Sequence, residues 1–446
     1  MKVLVISSNT LPASPSGPAY VAGALRRAGH EVEVYESLFA TDLRAELTGK
    51  LKAFQPDVAG VSIRLVFGDS QDPAAPLGTR HADLRPRVKE IVDVIRQQSR
   101  ALIVLGGPGF NYYARDWLNY LDLTYGIRGE GEVSFPLFLQ RLSEGGGDPG
   151  QVPGLVTYKD GSYHDAPPSR VDDLDATALP AYDLFDLEQY AARGVTPAIF
   201  TKRGCAFRCT FCPYAKLEGS RYRLKSPQRV LAEIGGILPH TSARRAMIVD
   251  NSFNVPHRHA VSLLEAFSVS QMDFAWGTGD LKPVGVTPDF CRRLEDSRCF
   301  YTCLAFESAS DTMLQRLGRG YTVRQVRAAL DALSRSAIPF SGSVMFGAPG
   351  ETPETVAETL AVVRDYNFPN GVWFTIGVYL WTGYQDIVAE LIQAGQLDQR
   401  ELFTGAVYLS PGLPYSYLAD LVADLRAHPG YAVQVNKPSE EWMLAL

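Results

Sequence analysis

The chain has 446 residues, enough for two or three domains and a large core, with 46% hydrophobic and 21% charged residues, an ordinary globular balance. A net charge of −6 gives no sign of a nucleic-acid surface. The apolar start, Met1–Ser7, is too short for a signal peptide or a membrane span, and no other run approaches ~20 apolar residues, so no membrane role is expected. Six cysteines in so long a chain do not make a disulfide framework, and a reducing cytoplasm is the expected setting.

Residues 1–142 alternate between short apolar runs and amphipathic stretches. The runs 3–6, 30–35, 57–63, 101–105 and 124–127 predict five strands. The stretches 20–28, 43–54, 84–98 and 134–142 predict helices between and after them. Such alternation predicts an α/β, Rossmann-like, doubly wound parallel sheet whose ligand lies beyond the carboxyl ends of the strands. Those ends carry small and polar residues. Ser8 and Asn9 follow the first strand; Ser62 and Arg64 lie at the third. Gly106, Gly107 and Pro108 follow the fourth strand, and Gly129, Glu130 and Gly131 the fifth. Glycines there let a ligand approach the backbone, although tight turns or a different nucleotide would account for them equally.

Residues 143–195 read as a connector, with a glycine-rich break at 144–150 and a hairpin turning at Lys159-Asp160-Gly161. From 196 to 384 the alternation resumes, with strands expected near 197–200, 245–250, 274–278, 301–307, 338–346 and 372–376. Six such units predict a partial (β/α)6 barrel, since a full eight-unit barrel needs more chain. Residues 385–446 are expected to form a short, α-rich tail closing one mouth of the barrel.

The loop after the first barrel strand holds Cys205, Cys209 and Cys212, spaced C-x3-C-x2-C. Three thiolates on one loop can hold three irons of a cubane cluster and leave a fourth iron open. A zinc loop or three packed thiols stay open on residue type alone. A structural zinc wants four ligands, however, and the nearest downstream histidine is His240. Cys291, Cys299 and Cys303 are irregularly spaced and read as buried thiols rather than a second cluster.

The cysteine loop resembles that of the radical S-adenosylmethionine (radical SAM) enzymes. With the Gly-Gly-Pro and Gly-Glu-Gly-Glu strand ends upstream, the chain resembles their cobalamin-dependent, class B methyltransferase-like branch. The resemblance implies a 4Fe-4S cluster, SAM and cobalamin as cofactors. It implies a cobalamin site at Ser8, Asn9, Ser62, Arg64, Gly106, Gly107, Pro108, Gly129, Glu130 and Gly131. No Asp-x-His-x-x-Gly motif follows the first strand, so cobalt lacks an imidazole from that loop. Strand-end positions that match the family imply SAM contacts at Phe211, Asp250, Glu307, Ser308, Arg319 and Gly347, the last in Gly347-Ala-Pro-Gly-Glu-Thr352, with Asn254 beside Asp250. The sixth strand end departs from the family pattern, and Tyr379 and Trp381 there are read as substrate contacts.

The implied activity is methylation of an unactivated carbon of a small-molecule or peptide intermediate. SAM is cleaved to a 5′-deoxyadenosyl radical, and a flavodoxin- or ferredoxin-type donor supplies the electron. Rearrangement or oxidative cyclisation without methyl transfer is the alternative within the family, and a non-catalytic sensor a remote one. Residues 1–204 contain no cysteine, which argues against a methylthiotransferase.

Overall fold

A computed structural model describes residues 1–71, 79–144, 151–168, 170–380 and 385–436. The chain divides into two compact units, Met1–Ala198 with Ala232–Ala243, and Ile199–Leu231 with Arg244–Leu446.

The first unit is built on a seven-stranded sheet. Its strands are β1 (Lys2–Ser7), β2 (Glu31–Glu36), β3 (Val58–Ser62), β4 (Leu102–Gly106), β5 (Tyr125–Ile127), β6 (Leu155–Lys159) and β7 (Ser162–Asp165), in the order β2-β1-β3-β4-β5-β6-β7. The first five run parallel, with Val3 level with Val32 on one side and Val58 on the other. Val3, Leu4, Val5 and Ile6 are all buried, as expected of a strand covered on both faces. Helix Ser16–Arg27 packs with Gly131–Ser143, and Leu43–Phe54 with Arg85–Gln98. Right-handed crossovers put these two pairs on opposite faces of the sheet. The strand order reverses between β1 and β3, which makes their carboxyl ends the crevice of the sheet.

Three features depart from expectation here. The first helix starts at Ser16 rather than Tyr20, because Pro18 falls in its first turn, where a missing N–H costs nothing. A two-stranded antiparallel sheet, Phe67–Gln71 with Thr79–Asp83, stands where no strand was expected. The expected connector is not a free linker. Its hairpin is β6–β7, which joins the sheet antiparallel to β5, and Val152, Leu155 and Ala181 enter the same core as Val3, Leu25 and Phe138.

The second unit is an open sheet whose spatial order follows the chain: β8 (Ala198–Ile199), β9 (Arg245–Ile248), β10 (Ala275–Leu281), β11 (Cys299–Glu307), β12 (Phe340–Phe346), β13 (Val372–Ile376) and β14 (Tyr431–Val435). Strands β9 to β14 are parallel. One face carries the apolar alternates: Trp276 against Phe253 and Phe267, and Phe346 stacked on Phe374, itself against Tyr431. The other alternates, including Tyr301, Cys303, Ser341, Ser343 and Trp373, therefore share the opposite face. The tail corrects the expected six-strand count. It contains a helix, Tyr415–Ala427, but also β14, which pairs with β13 as a seventh parallel strand.

Candidate functional site

The carboxyl ends of β8 to β12 converge on the cysteine loop. Two glycines give the loop its path. Gly204 has φ +88°, and a Cβ there would lie 2.2 Å from the Arg221 carbonyl oxygen. Gly318 has φ +66°, and its Cβ would lie 2.4 Å from the Arg208 carbonyl oxygen, so the loop and the turn before Val323 touch backbone to backbone. Thr210 N donates to the Leu317 carbonyl at 3.1 Å, and Cys205 N to the Gly219 carbonyl at 2.9 Å. Glu218 accepts from Gly204 N at 3.1 Å and from Asn251 Nδ2 at 2.8 Å.

Cys205 is buried, and Cys209 and Cys212 are half-buried. Burial pushes the Cys205 and Cys212 thiols up, Cys212 to about 12, and the neighbouring thiols add to the effect while Lys282 opposes it. Cysteine ligates a metal as the thiolate, so a bound metal would have to displace these protons. Among the described residues, no three His, Cys, Asp or Glu side chains are gathered as one metal ion needs. A tetrahedral zinc would draw its sulfurs to about 3.8 Å of each other. In a cubane cluster, by contrast, each thiolate takes its own iron.

Charged groups crowd the strand ends beside the loop. Asp280, near the end of β10, pairs with Lys282 at 2.6 Å. Glu307, the last residue of β11, has φ +63° where the register with β12 slips, a strained conformation for a glutamate. Its carboxylate lies 3.9 Å from Arg319. Burial pushes both acids up, and the neighbouring cations Lys282 and Arg319 pull each back down. The sequence reading missed Asp280 and Lys282. The signal available was their position at the carboxyl end of the third barrel strand.

The expected SAM contacts separate into two groups. Phe211 is half-buried against the cluster of Met313, Leu317, Met345, Ala348 and Val378, and its ring centre is 5.8 Å from the Arg319 guanidinium carbon. Phe211, Glu307 and Arg319 thus share one neighbourhood. Asp250 and Ser308 have other work. Asp250 is fully enclosed, with Oδ1 accepting from Thr201 N at 2.8 Å and Oδ2 paired with Lys202 Nζ at 2.8 Å. Lys202 Nζ also donates to the Phe253 carbonyl at 3.0 Å. Asn254 accepts from Lys282 N at 2.9 Å and donates to the Lys282 carbonyl at 2.8 Å. This network stitches the root of the cysteine loop to the ends of β9 and β10. Ser308 is fully buried and shares a 3.0 Å hydrogen bond with Thr359. Gly347, with φ +94°, turns the chain after β12, and its N–H donates to Glu351 at 3.2 Å.

Tyr379 pairs antiparallel with Val407 in a two-stranded ladder near the loop, and Gln385 donates to the carbonyls of both Tyr379 and Phe211. Trp381 lies outside the described residues. On the open face of the sheet the Tyr301 hydroxyl is 2.7 Å from Ser341 Oγ. Trp373 is 40% exposed although Val372 and Phe374 beside it are buried. These residues were not singled out in the sequence, because strand alternation alone does not say which face is left open.

In the first unit, Ser8 donates to the Ser62 carbonyl at 2.9 Å, and Ser37 to the Asn9 carbonyl at 3.3 Å, which binds the ends of β1, β2 and β3 together. Gly109 N donates to the Ile63 carbonyl at 2.9 Å. Gly107 has φ +92°, and a Cβ there would meet the Ile63 carbonyl at 2.5 Å, so its first requirement is packing against β3. Gly129 N donates to Asn111 Oδ1 at 2.9 Å, and Glu130 accepts from Val171 N at 2.6 Å. Gly131 opens helix Gly131–Ser143, Pro108 is exposed, and Arg64 is exposed beyond β3. Ser134 Oγ, near the start of that helix, is buried without a hydrogen-bond partner. An orphaned buried hydroxyl by glycine-lined strand ends fits a polar ligand that supplies the missing partner.

Residues 199–363 match the radical SAM superfamily model and residues 2–139 the B12 binding domain model. The chain therefore carries a B12 binding domain followed by a radical SAM domain. An uncharacterised methyltransferase of Pyrococcus horikoshii is 26% identical over 376 residues, 82% of this chain and 77% of the relative. The tryptophan 2-C-methyltransferase of Streptomyces laurentii is 22% identical over 428 residues, 80% of this chain and 69% of that enzyme. Among solved structures, the radical SAM methyltransferase TsrM of Kitasatospora setae, with cobalamin and a 4Fe-4S cluster bound, superimposes with a TM-score of 0.81 at 21% identity, over 97% of this chain and 93% of TsrM. That likeness shows the two-part fold. Among the described residues no helix is long and apolar enough to cross a membrane.

Proposed function

We propose that this protein is a cobalamin-dependent radical SAM methyltransferase that methylates an unactivated carbon of a small-molecule or peptide intermediate. The observation that carries the reading is a three-thiol loop at the carboxyl ends of a parallel sheet, in the same chain as a B12 binding domain. Methyltransferases among its relatives support it.

Cys205, Cys209 and Cys212 hold three irons and leave the fourth to SAM. Glu307 and Asp280 are the acids offered to the SAM ammonium, since bonds between charged partners are the stronger kind. Phe211 offers an aromatic face to adenine. Asp250, Ser308 and Gly347 drop from the contact set, because the first two spend their polar atoms on the protein and the third serves the turn. Cobalamin occupies the crevice at Ser8, Asn9, Ser62, Arg64, Gly106, Gly107, Pro108, Gly129, Glu130 and Gly131. Tyr379, Tyr301 and Trp373 are the substrate-side candidates. When bound, the cofactors supply an electron, a radical and a methyl group, and the protein orients and shields them. The reading carries with it a cytoplasmic setting and a flavodoxin- or ferredoxin-type donor.

The test is anaerobic reconstitution with iron, sulfide, cobalamin, SAM bearing a deuterated methyl group and a reductant, with tryptophan as the first substrate offered. Labelled product is expected. Formation of 5′-deoxyadenosine with unlabelled product would replace methylation by rearrangement.

A further inference from the structure

Arg319 sits in the turn between helices Asp311–Arg316 and Val323–Ser334 and is 2% exposed. Its guanidinium is held at three points. Nη1 donates to Cys209 Sγ at 3.1 Å, Nη2 to the Ala305 carbonyl at 2.8 Å, and Nε to the Tyr321 hydroxyl at 2.7 Å. Tyr321 is itself fixed, its hydroxyl donating toward the carbonyls of Ala305 at 3.3 Å and Phe306 at 3.2 Å. The fork is thus tied to β11 and cannot follow a mobile ligand. The backbone contact of Gly318 with Arg208, and the bond from Thr210 N to Leu317, fix the turn and the cysteine loop together.

A buried, fixed cation that hydrogen-bonds a ligating sulfur draws electron density from it. It therefore favours the more negative, reduced state of the group the sulfur holds. Burial keeps the charge from being screened as it would be in bulk solvent. We propose that Arg319 sets the reduction potential of the 4Fe-4S cluster by donating from Nη1 to the sulfur of Cys209, and is not a ligand of the SAM carboxylate. The proposal rests on the reading of the cysteine loop as a cluster site. Arg319 is a positioning and tuning residue that acts through Cys209.

The experiment is a redox titration of the reconstituted full chain without SAM, followed by electron paramagnetic resonance, with SAM affinity measured separately by equilibrium dialysis. Arg319→Gln, which removes the charge, lowers the midpoint potential. Arg319→Lys, which keeps the charge and loses the fork, lowers it less, and Tyr321→Phe, which removes the prop at Nε, shifts it in the same direction. SAM affinity stays within about twofold in all three. An unmoved potential in Arg319→Gln, with SAM affinity weakened about tenfold or more, overturns the proposal in favour of a SAM contact. Should Arg319→Gln take up no iron, Arg319→Lys and Tyr321→Phe decide, and an unmoved potential in both overturns it. Wild-type protein that binds no iron overturns the cluster reading itself. A normal cluster with unmoved potentials overturns this proposal alone.

Discussion

Replacing Lys202 by Met removes one member of an ion pair whose side chains are 1% and 0% exposed. Asp250 would be left as a buried carboxylate with its backbone donor from Thr201 but no countercharge. The Phe253 carbonyl also loses a 3.0 Å donor. Breaking a buried pair from one side costs about 3–5 kcal/mol. The Thr201 hydrogen bonds remain on Asp250, so the lower end, about 3 kcal/mol, is expected. In a unit of this size that lowers Tm by roughly 6–12 °C. The double variant Lys202→Met/Asp250→Leu removes both charges, and a buried pair replaced by apolar groups of similar volume is often near neutral. It should recover about 2 kcal/mol or more over the single variant. Urea titration of the metal-free protein, read by far-ultraviolet circular dichroism and by tryptophan fluorescence, measures both. The reasoning is refuted if Lys202→Met unfolds within about 0.5 kcal/mol of wild type, or if the double variant is as unstable as the two single losses added together.

Alanine at Cys205, Cys209 or Cys212 should each reduce iron after anaerobic reconstitution to a small fraction of wild type, while alanine at Cys291, buried on helix Pro288–Asp296, leaves iron unchanged. Gly204→Ala is expected to cost about 2 kcal/mol or more and to lower iron uptake, because its Cβ would enter the Arg221 carbonyl; normal iron content would count against that geometry. Burial raises Glu351 from 4.5 to about 7, with hydrogen bonds from Gly347 and Thr355 opposing the rise. The folded chain therefore holds a proton that the unfolded chain releases, and stability contributed by neutral Glu351 is lost as pH rises from about 4.5 through 7. Glu351→Gln should flatten that slope and stabilise the protein by about 1–3 kcal/mol at pH 8, measured by urea titration across pH 5–8.

The sequence carried the parallel sheets because their strands are buried almost continuously on both faces, as in Val3–Ile6 and Phe340–Phe346. The cysteine loop was equally legible, since three thiols in 8 residues are rare and Gly204 adjoins them in sequence. The pairing of Asp250 with Lys202 is one that sequence cannot supply. An acid at a strand end faces a ligand or a lysine according to what lies across the fold, and Lys202 is 48 residues away. The same holds for Ser308 and Thr359, 51 residues apart. The seventh strand was hidden because Tyr431-Ala-Val-Gln-Val435 is short and follows directly on a helix.

That late strand sets the true extent of the second folding unit. The match to the radical SAM superfamily stops at residue 363, whereas the sheet takes its last member from Tyr431–Val435. A fragment cut to the family boundary would lose β13 and leave β12 as a bare edge; one cut before Tyr431 would do the same to β13. Unpaired N–H and C=O groups along such a margin recruit neighbouring chains, so truncated fragments would precipitate even with every cluster cysteine in place.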